Sequence, residues 1–274
     1  MKLSTVQRYR AAGASTTPGS LPLGLAVTCC VLSGPKPKVS INHGDIVDDP
    51  RAFVTYSVHP KHTMSANTPK KRNDYAAMLI DHSVLKGVVA VGEIGLDYLH
   101  AKYNRQQIAQ RETLTVVLSE VRKRAELTDL PLVLHVRGKS PVDLSASQDC
   151  IRVLKEAGVP SEHPIYRHCF VGGLQEARMW LKAFPNCKFG FSPKVPAGQA
   201  HAECPIVFMH LDLDQILVET DAPYLPLPCS DRMVTPWSTF YLFQWLAALR
   251  SISFGDVLKQ VESNCRQFYG ITAQ

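Results

Sequence analysis

The stretch "VVAVGEIGLDY", Val88 to Tyr98, decides how the rest of the chain is read. It opens as a buried strand, with Val88, Val89 and Val91, and then places two glycines and two carboxylates, Gly92, Glu93, Gly95 and Asp97, where a strand that only packed would stay apolar. Glycine grants backbone freedom and the carboxylates bring chemistry, so the end of this strand reads as a site. Outward from it, short apolar runs recur at Leu25–Leu32, Phe53–Val58, Leu132–Val136, Ile165–Phe170, Lys188–Phe191 and Ile216–Glu219. Helical patterns lie between several of them: Leu114, Val117, Leu118, Val121 and Ala125 share one helix face, as do Val257, Leu258, Val261, Cys265 and Phe268. Strands alternating with helices predict parallel strands joined by crossover helices.

The polar strand ends narrow the fold class. Glu93 and His135 lie 42 residues apart, His135 and His168 33, and His168 and Asp221 53 with one strand between. A barrel of eight strand-helix units averages about 31 residues per unit, so these gaps are one, one and two units of an α/β TIM-type (β/α)8 barrel. Its active site gathers at the carboxyl ends of the strands, which explains why Glu93 ends one.

Length and composition agree with one large domain. The chain has 274 residues, 45% of them hydrophobic, enough for a sizeable core. Residues 1–22, rich in Ser, Thr, Gly and Ala, read as a poorly ordered leader, and 23–274 as the barrel. No run reaches the ~18 apolar residues of a membrane helix, so no membrane partner is expected. Eight cysteines without a C-x-x-C pair suit reduced thiols in an intracellular protein, cytoplasmic or nuclear. The net charge of +6 favours phosphate-bearing partners, although runs such as Lys70-Lys71-Arg72 and Arg122-Lys123-Arg124 read as solvated faces.

Glu93, His135, His168 and Asp221 are residue types that bind divalent metals, and each follows an apolar strand. A lone histidine in such a place is more often a hydrogen-bonded core residue, but four such residues at barrel spacing suit a one- or two-metal hydrolase. Arg137, two residues past His135, shares its side of the strand and suits phosphate recognition or a salt bridge. His59 and His62 in "SVHPKH" follow another strand, as phosphate contacts or as ordinary loop histidines.

In combination, "GEIGLDY", "HVR", "RHCFVGG" and "ETDAPYL" resemble the signature blocks of the TatD family of metal-dependent deoxyribonucleases, which are amidohydrolase-like barrels. "SVHPKH" and the closing "SNCRQFYG" are similar to two further blocks, and the resemblance covers roughly residues 25 to 271. It implies divalent ions such as Mg, Mn or Zn, with Glu93, His135, His168 and Asp221 as ligands and Asp221 also accepting a proton from water. Glu93 and Asp221 are thus the catalytic pair. Arg137, His59 and His62 fall on the substrate side, with DNA as substrate and no obligate protein partner. The family opens with a strand ending in H-x-H, and no H-x-H occurs in this sequence, so the first barrel strand is expected to be missing or altered, one metal site complete and activity reduced. Two rivals share the barrel: a single-metal amidohydrolase acting on a C–N or ester bond, and a degenerate barrel that only binds nucleic acid or protein.

Overall fold

The computed structural model describes residues 26–32, 52–222, 224–225, 235 and 238–272. The expected leader lies outside these residues. Seven strands form one all-parallel sheet whose neighbours follow chain order: β1 (Ala26–Val31), β2 (Ala52–Ser57), β3 (Val88–Asp97), β4 (Leu132–Arg137), β5 (Ile165–His168), β6 (Lys188–Phe191) and β7 (Ile216–Val218). Every apolar run singled out in the sequence is one of these strands. Sequential parallel order with intervening helices is the topology of the (β/α)8 barrel, here with seven strands among the described residues.

The helices are α1 (Pro60–Thr63), α2 (Pro69–Ser83), α3 (Asn104–Arg122), α4 (Ala125–Thr128), α5 (Ser145–Glu156), α6 (Leu174–Ala183), α7 (Cys204–His210), α8 (Thr239–Arg250) and α9 (Phe254–Tyr269). Helix α2 starts where Thr68 accepts a hydrogen bond from the Lys71 N–H ahead of Pro69, and α9 where Ser253 accepts one from Asp256. The apolar face of α3 buries Leu114, Val117, Leu118 and Val121. Ala125, expected on that face, instead opens the separate turn α4, because α3 ends at Arg122. Arg72, expected in a solvated run, is tied down, its guanidinium 2.9 Å from Glu112 and 3.1 Å from the Ala66 carbonyl.

The sheet curls. Ala90, Val133, Tyr166 and Leu217, from β3, β4, β5 and β7, share one buried cluster with Phe268 of α9, although β3 and β7 stand four places apart in the sheet. Their inner faces therefore meet, and α9 packs its ring into the inside of the curl, 5.9 Å from the Tyr166 ring. Asn264 pins α9 to the entry of β7 by donating to the carbonyls of Leu213 and Ile216 at 2.8 and 2.9 Å. None of the described helices is long and apolar enough to cross a membrane, and among the described residues no disulfide links Cys150, Cys169, Cys187, Cys204 or Cys265.

Candidate metal centre

Glu93 does not end its strand. β3 runs on to Asp97, and its register against β4 passes from Gly92↔Val133 to Ile94↔Leu134, so Glu93 is the extra residue of a bulge. A bulge re-aims a side chain, which here is buried. The two glycines make it possible. Both have positive φ, and a Cβ on Gly92 would lie 2.3 Å from the Val133 carbonyl oxygen and one on Gly95 2.1 Å from that of His135. Only glycine allows β4 to approach so closely. Asp221 also departs from the expectation of a strand end: it lies three residues beyond β7, in the left-handed region at φ 56.

Three histidines converge on Glu93. Its Oε2 is 3.3 Å from His135 Nδ1 and 2.8 Å from His168 Nε2, and its Oε1 is 3.9 Å from His59 Nε2. The same His168 Nε2 lies 3.2 Å from Asp221 Oδ1. On its other side His168 Nδ1 is 2.7 Å from Glu219, a carboxylate that also accepts the Cys169 N–H at 2.5 Å and the Tyr166 hydroxyl. Asp97 sits buried beneath His135, whose Nε2 is 3.4 Å from its Oδ2 but has no aligned hydrogen bond among the described residues. Gln110 fixes that end of β3, accepting from the Asp97 N–H and donating to the Asp97 and Pro60 carbonyls. Asp97 reads with Glu93 as part of a site and Glu219 stands inside a quoted sequence block, yet pattern alone assigns neither a specific task, because their work lies behind the histidines.

The charges follow from this packing. Burial opposes ionisation of Glu93, but His168 and His135 outweigh it and hold its carboxyl well below the usual range. Burial equally opposes a charge on His168, yet Glu219, Glu93 and Asp221 hold it protonated well above the ordinary histidine value. His59 differs. Burial, with His135 beside it, pushes it down to about 4, so its ring is neutral. The Lys61 N–H donates to His59 Nδ1 at 3.0 Å, which leaves the ring proton on Nε2.

These residues suit a divalent cation. Among the described residues, His59, Glu93 and His135 have donor atoms within 4.8 Å of one another. Two carboxylates point at one His168 nitrogen whose proton a cation would replace. An imidazole and carboxylate set of this kind fits zinc or manganese. Ligation by His59 Nε2 would move its proton to Nδ1, against the Lys61 N–H, so His59 is better suited to donate a hydrogen bond. His62 lies farther off, its ring 6.4 Å from that of His59, and no described contact joins it to Glu93. Arg137 is half-buried at the end of β4, and among the described residues its guanidinium has no ion-pair partner.

Residues 26–270 match the family described as TatD related DNase. The chain is 29% identical over 196 residues to an uncharacterized metal-dependent hydrolase, YabD, of Bacillus subtilis, covering 71% of this chain and 70% of that one. It is 30% identical over 186 residues to the 3'-5' ssDNA/RNA exonuclease TatD of Pectobacterium parmentieri, covering 66% and 64%. It is 28% identical over 185 residues to the human 3'-5' RNA nuclease TATDN2, covering 66% of this chain but 21% of that much longer one. Among solved structures, a TatD family hydrolase from Entamoeba histolytica superposes with a TM-score of 0.70 at 17% identity, covering 98% of this chain and 88% of the other.

Proposed function

Because this chain belongs to the TatD related DNase family, we propose that it is a metal-dependent nuclease that hydrolyses phosphodiester bonds of DNA. The names of the relatives extend the proposal to single strands of DNA or RNA cut in the 3'-5' direction. The observation that carries it is the shared carboxylate: Glu93 meets both His135 and His168, and Asp221 meets the same His168 nitrogen.

Glu93, His135, His168 and Asp221 would hold the ion. A divalent cation bound there lowers the pKa of water and offsets charge on a phosphoryl oxygen. The rest is the work of side chains. Glu219 holds His168 through Nδ1 and so directs Nε2 to the centre. Asp221 is the most open carboxylate of the set, its side chain 33% exposed, and His168 keeps it ionised against the effect of burial. It can therefore take a proton from an attacking water. His59, neutral with its proton on Nε2, can donate to a non-bridging phosphate oxygen, and Arg137, without an ion-pair partner among the described residues, can grip the phosphate at two points.

The test is cleavage of labelled single-stranded DNA and RNA with Mg²⁺, Mn²⁺ or Zn²⁺, with and without chelator. Cleavage should require the ion and be lost in Glu93→Ala. Intact oligonucleotides beside hydrolysed amides or lactones would favour the amidohydrolase reading instead.

A further inference from the structure

Arg167 carries a charge where the fold has no evident need of one. It is 1% exposed, on the helix side of β5, directly before His168. Its planar head stacks 4.8 Å from the Trp180 ring, and its Nη2 lies 3.2 Å from Glu176, itself held by the Ser147 hydroxyl. Burying such a pair is costly, and apolar residues of similar volume fill the same space at equal or lower free energy. Its other contacts give it a purpose. Nη1 donates to the Leu134 carbonyl at 3.3 Å and Nη2 to the Val136 carbonyl at 3.1 Å. Those two carbonyls flank His135.

The strand lengths show why a side chain is needed there. β5 pairs with β4 from Leu132↔Ile165 to His135↔His168 and stops, while β4 continues through Val136 and Arg137. Leu134 still lies within the paired stretch, but the Val136 carbonyl lies past its end, and the Phe170 N–H next along donates to the Gly190 carbonyl instead. We infer that Arg167 is a positioning residue for the metal centre, its guanidinium supplying at Val136 the donor that β5 lacks, adding a second at Leu134, and so fixing β4 on both sides of His135. This rests on the metal-dependent reading above. Arg167 touches neither ion nor substrate. It sets where His135 Nδ1 and His168 Nε2 stand relative to each other.

The experiment compares the wild type with Arg167→Lys, Arg167→Met and the double variant Arg167→Met/Glu176→Gln. Unfolding midpoints are measured in metal-free buffer and Mn²⁺ affinity by calorimetry. Arg167→Met should lower the midpoint, because Glu176 is left buried and uncompensated, and the double variant should recover it. Mn²⁺ affinity in the double variant should stay roughly 10- to 100-fold weaker, the usual cost of losing an outer support. Arg167→Lys keeps the charge but cannot bridge both carbonyls and Glu176, so its affinity should fall in between. A double variant with wild-type midpoint and wild-type Mn²⁺ affinity overturns the inference. Should the double variant not fold, Arg167→Lys decides, and undiminished affinity there overturns it equally. A wild type that takes up no Mn²⁺ overturns both this inference and the metal-dependent reading. Wild-type uptake with a matching variant overturns the inference alone.

Discussion

Replacing Glu219 by glutamine keeps the shape of the side chain and removes its charge. The wild-type carboxylate accepts from three donors: His168 Nδ1 at 2.7 Å, the Cys169 N–H at 2.5 Å and the Tyr166 hydroxyl. An amide offers one oxygen. If that oxygen faces His168, the NH₂ group meets the Cys169 N–H, donor against donor. If it faces Cys169, the NH₂ group meets His168 Nδ1, which must then accept, and the imidazole proton moves to Nε2, the nitrogen that points at Glu93 and Asp221. Either way one charge-assisted hydrogen bond is lost, worth about 1.5–3 kcal/mol, and ligand orientation is lost with it. Glu219→Gln should therefore weaken Mn²⁺ binding roughly 10- to 100-fold. Calorimetric titration of Mn²⁺ into both proteins measures this, with metal-free unfolding midpoints as the control for folding. Unchanged Mn²⁺ affinity would refute the role given to Glu219.

Three further outcomes are expected. Gly95→Ala should destabilise by more than about 2–3 kcal/mol, since strain at positive φ adds to a clash with the His135 carbonyl; Gly198→Ala, also at positive φ but in open space, should cost only about 1–2 kcal/mol, and denaturant titration giving equal losses would contradict the close approach of β4. Arg137→Ala should reduce kcat/KM on oligonucleotides roughly tenfold or more while Mn²⁺ affinity holds, and loss of ion binding in a folded protein would show that its role is misassigned. Burial holds His163 below the ordinary histidine value, so the unfolded chain takes up its proton first. As pH falls through about 6.5 the wild type should lose stability relative to His163→Gln; a difference in unfolding free energy that stays constant from pH 8 to 5 would count against this.

The barrel topology was legible because strand and helix periods differ and four polar residues, Glu93, His135, His168 and Asp221, follow apolar runs at barrel spacing. The site was legible in its residue types but not in its backbone. Nothing in "VGEIGLDY" distinguishes a strand that ends at Glu93 from one that bulges there and runs on to Asp97. That choice depends on the contact between Gly92 and Val133 and between Gly95 and His135, which is made only when β4 is in place. The tautomer of His59 was hidden for a similar reason, since it is set by the Lys61 N–H at the first turn of α1. Arg167 faces away from the centre, and sequence spacing assigns a side chain to one face of a strand without showing that it reaches the backbone of the next.

Phe268 sets an order of events. It joins an inner cluster with Ala90 and Val133, residues far upstream in the chain, while Asn264 of the same helix pins the approach to Glu219 and Asp221. Contacts across so long a stretch of chain form slowly, because the loop must close before they return any free energy. On a ribosome the strands are made well before the helix that seals their inner side, and until it emerges Tyr166 and Leu217 face water. Apolar surface left open in that way favours association between chains. The inner side of the sheet is thus closed only when α9 packs, and until then the approach to Glu219 and Asp221 lacks the Asn264 pins.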